Sequence, residues 1–212
     1  MRKARPFRRR GAGQRGVALV LALCLLIAIL LMGASAAQLA LQGEKSARGE
    51  RDWHIAFQAA EEALMDAEHD IEGAPGAPGR GALFAPDSAL GFADGCGAGL
   101  GNASLGLCLR AAEGRTPVWQ SVDFSDGAPA SAKSVPYGQF TGATMRTGEG
   151  FLPFKRPRYI IELLPYTREG EDATTAARYF YRITAIGFGP REGSQVVLQS
   201  FYCKPDVSGS MP

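Results

Sequence analysis

The chain has 212 residues, 46% of them hydrophobic, with a formal charge of +2 and a sequence pI of about 8.4. That length holds one long helix and one modest globular domain, and excludes a large multidomain enzyme. The charge is lopsided. Residues 1–16 carry seven basic groups (Arg2, Lys3, Arg5, Arg8, Arg9, Arg10 and Arg15) and no acid, whereas the remainder holds 16 basic and 21 acidic groups, a net charge near −5. The body is therefore acidic, and direct nucleic-acid binding is not expected from it.

From Val17 to Met32 the only polar side chain is the thiol of Cys24, and the first charge after Arg15 is Glu44. Roughly 20 helical residues cross a hydrocarbon core, so residues 17–37 predict a transmembrane helix. The arginines before it predict a single-pass inner-membrane protein with a cytoplasmic N-terminus and a periplasmic C-terminal domain. A basic stretch followed by an apolar run fits a cleaved secretory signal, a permanent anchor, or a leader cut at its near end. Ala34-Ser35-Ala36 offers a small-x-small site for the first of these, but the helical pattern continues past it. The stretch Gln14-Arg15-Gly16-Val17-Ala18-Leu19-Val20 resembles a class III signal, in which prepilin peptidase cuts after the glycine and leaves the apolar helix attached. Gly16 and Val17 would flank that cut, glycine leaving the backbone open to the protease.

No proline interrupts the chain from Ala37 to Glu72, and Trp53, Phe57, Ala60, Leu64, Ala67 and Ile71 recur at spacings of four and three. This spacing predicts a helix with one face packed on a domain and the opposite face carrying Arg51, Asp52, Gln58, Glu61, Glu62 and Asp66. One helix over 17–72 results, transmembrane over 17–37 and amphipathic over 38–72. At 1.5 Å per residue it would reach roughly 80 Å. Gly33, Gly43 and Gly49 each cost about 1 kcal/mol relative to alanine in a helix interior, so local bending or melting is expected there.

Arg51-Asp52 followed by Ala56-Phe57-Gln58-Ala59-Ala60-Glu61-Glu62-Ala63-Leu64 is similar to the helix signature of the PilX family of type IV pilus minor pilins. Gly106-Leu107-Cys108 with Pro117-Val118-Trp119 resembles the family's middle segment. Tyr181-Arg182-Ile183-Thr184-Ala185 with Val197-Leu198-Gln199-Ser200-Phe201-Tyr202 resembles its closing strands. The likeness spans residues 14–202, thinly between about 73 and 154. It implies a minor pilin that takes part in pilus assembly, and Leu21, at the fifth mature position, adds the expectation of a subunit that primes assembly and sits at or near the tip; no cofactor is expected. The partners it implies are other minor pilins, the major pilin, prepilin peptidase, the inner-membrane assembly platform and a large tip adhesin. It also implies N-methylation of Val17. Major pilins usually begin the mature chain with phenylalanine and carry glutamate at its fifth position, where this chain would have Val17 and Leu21. The K-type minor pseudopilins of type II secretion share that absence, but they are typically much longer. A cleaved periplasmic binding module is the remaining alternative.

Gly73-Ala74-Pro75-Gly76-Ala77-Pro78-Gly79 cannot continue a helix and predicts a linker over 73–79. From Arg80 to about Thr116 glycine is frequent, predicting irregular loop with a short helix near Ser88. Strand-like runs follow at Pro117–Phe124, Arg158–Leu164, Arg178–Phe188 and Gln195–Cys203, the last two joined by a glycine-rich hairpin connection. The predicted fold class is α+β: a pilin-like long helix packed on a small antiparallel sheet of about four strands, within a globular domain over 80–205 and before a flexible tail over 206–212.

Gly11-Ala12-Gly13-Gln14-Arg15-Gly16 satisfies G-x-G-x-x-G, but no strand precedes it and an apolar run follows, so a nucleotide site is not expected. His54 and His69 lie far apart on the helix, Glu61 and Glu62 point to different parts of its surface, and no triad pattern is present. No catalytic, cofactor or metal residues are therefore assigned, and the chain reads as a non-enzyme. Cys96 and Cys108 sit in a glycine-rich loop where oxidising conditions favour a disulfide, with a bridge from either one to Cys203 as the alternative. Closing a loop of about a dozen residues would stabilise by roughly 3 kcal/mol. Cys24 is expected to be a small apolar packing residue in the membrane helix.

Overall fold

The computed structural model describes residues 16–73, 79–166 and 178–205. The leader before Gly16, residues 74–78 of the predicted linker and the tail 206–212 lie outside the described residues. In chain order the elements are α1 (Val17–Glu72), a 3-10 turn (Gly81–Leu83), β1 (Leu107–Leu109), α2 (Val118–Ser121), β2 (Val135–Pro136), β3 (Arg158–Tyr166), β4 (Arg178–Phe188) and β5 (Gln195–Tyr202). Contacts divide the chain into two compact units, Met1–Gly49 and Glu50–Pro212.

The first unit is the beginning of α1. Its richest apolar window has a mean hydropathy of 3.1, long and apolar enough to cross a membrane, and none of that window is buried. The hydroxyl of Ser35 donates to the Leu31 carbonyl at 2.8 Å, so this polar group needs no water. Glu44 and Arg48 pair one helical turn apart and open the charged part of the helix. Gly33, Gly43 and Gly49 lie within regular helix, against the expectation of local melting. Their propensity cost is carried by good helix formers around them, alanine and leucine near Gly33 and Gly43, and glutamate, lysine and arginine near Gly49.

In the second unit β3 is central. It pairs with β4 along its whole length on one edge, from Arg158 opposite Ile186 to Tyr166 opposite Arg178. Its other edge is shared by β2, antiparallel at Tyr159 and Arg158, and β1, parallel from Leu107 opposite Ile161 to Leu109 opposite Leu163. β5 closes the order beyond β4. The sheet is thus mixed and five-stranded, and the all-antiparallel arrangement is corrected by β1, which lies within the stretch expected to be loop.

Two further expectations change. Pro117–Phe124 is not a strand: Pro117 caps a short helix, α2, and the fourfold spacing of Val118 and Val122 buries both against the sheet. No helix forms at Ser88. That residue sits in a turn, with its N–H donating to Ala85 and its hydroxyl accepting from the Leu90 N–H, and the local helical geometry falls instead at the 3-10 turn Gly81–Leu83.

Both faces of β3 are buried, which explains its nearly unbroken apolar run. On one face Tyr159, Ile161, Leu163, Tyr181, Ile183 and Ala185 pack with Ala63, Ala67 and Ile71 of α1. On the other, Ile160, Ile186 and Phe188 are covered by Val118, Val122, Phe124 and the Cys96 and Cys108 pair. The helix lies very close to the sheet. A Cβ added at Gly187 would fall 2.0 Å from the Ala56 carbonyl oxygen and 2.3 Å from the Ala60 nitrogen, so only glycine fits there.

Candidate functional site

The contact made by α1 on the sheet is built from small residues. Ala56, Ala59, Ala60, Ala63, Ala67 and Ile71 are buried, together with Asp52, Asp66 and Asp70. Of the four packing residues read from the sequence, Ala60 is fully buried, Phe57 and Leu64 are half-buried at the margin, and Trp53 is 48% exposed and stacked on Phe57 at 5.2 Å. The packed face is therefore turned from the expected one toward the alanines, and Asp52 and Asp66, assigned to the solvent face, point inward. Large apolar residues marked the expected stripe. The close approach at Gly187 selects alanine instead.

Each inward aspartate has a partner on a different part of the domain. Asp52 pairs with Arg191 of the β4–β5 connection and with Arg51 beside it. Asp66 accepts from the Gly138 N–H at 2.8 Å and from the Thr141 hydroxyl. Burial pushes the Asp66 carboxyl above its ordinary value, against the lowering effect of the Thr141 and Gly138 donors.

Asp70 is the most enclosed. Arg80 donates to it from Nε and Nη2, the latter at 2.7 Å, and the two side chains are 3% and 0% exposed. The Tyr159 hydroxyl donates to Asp70 Oδ2 at 2.9 Å, and burial holds that hydroxyl well above its ordinary pKa. Arg80 Nη1 is satisfied by the carbonyls of Ala103 at 2.7 Å and Leu105 at 2.5 Å, and Phe140 lies 3.8 Å from the guanidinium. At the end of α1, Lys204 donates to the Ile71 carbonyl at 2.8 Å and Tyr202 to Glu72 at 2.5 Å.

Cys96 and Cys108 are bonded to each other, with Cα atoms 4.0 Å apart, and both are buried under the outer face of the sheet. Cys96 has a φ of 74°, a left-handed conformation held by its N–H on Ala93 and by the Gly97 N–H on Leu107. Cys203 and Cys24 are free and exposed thiols. At the other end of the chain Gly16 precedes the first helical residue, Val17, and an added Cβ at Gly16 would meet nothing within 4 Å. The first turn of α1 holds no acid, and Leu21 is 59% exposed.

One helix thus presents an uncharged apolar surface from Val17 to Gly43, while its last turns are clamped on a sheet through alanines and partnered aspartates. A long helix with an apolar beginning and an end packed on a small α+β domain defines the type IV pilin-like class. Residues 15–64 match the PilX N-terminal family model and residues 104–204 match type IV pilus assembly protein PilX C-term, together more than two thirds of the chain. The chain belongs to the PilX family, structural components of type IV pilus assembly. No curated protein and no solved structure matches it.

Two outcomes follow from the clamp. Asp70→Asn leaves a buried guanidinium without its counter-charge and is expected to destabilise the chain by about 3–5 kcal/mol in thermal or denaturant melts. The double variant D70L/R80M, which removes both charges, is expected to recover much of that loss. Asp66 gives a pH signature. Its folded pKa is raised, so its contribution to stability is complete at acid pH below the unfolded value and is lost as pH rises through the folded value. Asp66→Asn is expected to flatten that fall when melting temperatures of the variant and the parent are compared across the acidic range.

Proposed function

We propose that this protein is a low-copy minor pilin that primes filament assembly and sits at or near the filament tip, and the observation that carries this is Leu21. Cleavage between Gly16 and Val17 makes Leu21 the fifth mature residue, inside a helix surface that is apolar and exposed. In major pilins the glutamate at this place lies in an apolar environment, where an unpaired carboxylate is costly, so it seeks the N-terminal amine of the subunit already in place. Leucine carries no such cost and no such pull. The Val17 amine can still receive the glutamate of the next arrival, since no acid of its own first turn competes for it. A subunit that can be docked upon but docks weakly itself suits the first position in a growing filament.

In this reading α1 is anchored in the inner membrane with the arginine-rich leader in the cytoplasm and the sheet domain in the periplasm. Prepilin peptidase acts on the Gly16–Val17 bond, and the assembly platform, the major pilin and other minor pilins meet the apolar helix. A tip adhesin would meet the domain. Mass spectrometry of the mature chain is expected to find N-methylated Val17 at its start, and immunogold labelling of sheared pili is expected to mark filament ends, with piliation reduced in a deletion strain. An intact Met1 or a start at Ala37 would refute the cleavage, and label spread evenly along filaments with normal piliation in the deletion strain would refute the priming role.

A further inference from the structure

β5 is the last strand of the sheet and, among the described residues, pairs on one side only, with β4. Proteins block such edges with charges, prolines, bulges or short strands. β5 reads Gln-Val-Val-Leu-Gln-Ser-Phe-Tyr, with no charge and no proline, and its register against β4 is continuous over all eight residues. The edge is therefore free of bulges, uncharged and long enough to receive another strand.

Both faces beside this edge are prepared. On the face away from α1, Tyr166, Phe180 and Phe201 form an aromatic row across β3, β4 and β5, with ring centroids 6.3 and 6.0 Å apart. The row stops at the open edge, where Phe201 is 64% exposed. A side chain on an added strand would extend it by one position. On the α1 face, the Tyr202 hydroxyl donates to Glu72, and Glu68 lies close enough to act on the same hydroxyl. Lys204, held by the Ile71 and Gly81 carbonyls, also acts on the Glu72 carboxylate, so one cation already faces the two acids. The acids still outnumber it beside the edge, which favours a basic partner.

We propose that β5 is a docking edge for an extended segment of another protein, one that adds as a further strand with lysine or arginine on the α1 side and an aromatic or β-branched residue beside Phe201. A second copy fits less well. β5 itself holds no lysine or arginine, so the strand of a second copy would bring no cation to Glu68 and Glu72.

The test uses the full chain in detergent and a fluorescein-labelled ten-residue peptide alternating lysine with valine and phenylalanine. Its controls are the glutamate-for-lysine peptide and two peptides N-methylated at every second residue, one for each strand edge. Anisotropy is expected to show saturable binding of the lysine peptide, abolished by N-methylation along one edge and retained with the other. Phe201→Ser, with its fold checked by a melting curve, is expected to weaken binding by up to about fivefold. E68K/E72K is expected to turn the preference toward the glutamate peptide. Binding indifferent to N-methylation on both edges, or to Phe201→Ser and the charge reversal, overturns the proposal. So does a dimer in analytical ultracentrifugation that Phe201→Ser dissolves, which would make a second copy the occupant. Binding that appears only after deletion of residues 206–212 would assign the edge to the chain's own end. None of these readouts depends on leader cleavage or filament position.

Discussion

The pairing of Asp70 with Arg80 is the constraint around which the domain is arranged. Both side chains are shut away from water, and an ion pair so placed is tolerated only when every remaining donor and acceptor is met. That requirement draws in distant segments: the Tyr159 hydroxyl from the central strand, the Ala103 and Leu105 carbonyls from the loop before β1, and the Phe140 ring from the loop after β2. Residues with little regular structure of their own are thereby held in one place relative to α1. The disulfide between Cys96 and Cys108 fixes the same loop on the opposite face of the sheet, so the stretch before β1 is tied from both sides.

The rest of the helix contact depends on closeness. With Gly187 directly beneath Ala56 and Ala60, side chains larger than methyl would hold the helix off, and the three aspartates could not reach their partners. Alanine contributes little apolar area per residue, so the polar contacts supply the orientation that bulky packing supplies elsewhere. Large apolar residues fill the space beside this line instead: Phe84, Phe92 and Tyr181 form a cluster of rings with centroids 5.5 to 6.1 Å apart. The Tyr181 hydroxyl has no hydrogen-bond partner in that cluster, and burial pushes its pKa up to about 12.

Much of this was legible from residues alone, for definite reasons. The uncharged run from Val17 has only one stable backbone solution in an apolar medium, and β3, β4 and β5 announce themselves through β-branched and aromatic residues around a glycine-rich connection. What escaped was whatever depended on partners far away in sequence. Asp52, Asp66 and Asp70 look like solvent-facing acids until Arg191, Thr141 and Arg80 are brought to them. β1 spans only Leu107–Leu109 and exists because β3 offers it an edge, and Val118–Ser121 is helical because the outer face of the sheet takes Val118 and Val122 together. Neither segment is long enough to show a period of its own. The family likeness left the same gap, since residues 65–103, which contain Asp70, Arg80 and Cys96, lie outside both family matches.

The two units differ in kind. The domain holds the end of α1 through alanines and three aspartates that each have a partner, and the beginning of α1 carries no charge before Glu44. If the missing charge at Leu21 decides where in the filament the subunit goes, restoring a carboxylate there must move it. Substitution of Leu21 by glutamate tests this directly, because the new side chain would dock the subunit beneath a predecessor's amine. Immunogold labelling of pili carrying the L21E chain is predicted to shift from filament ends to positions along the shaft. Labelling of L21E pili indistinguishable from that of the parent would contradict a placement set by Leu21.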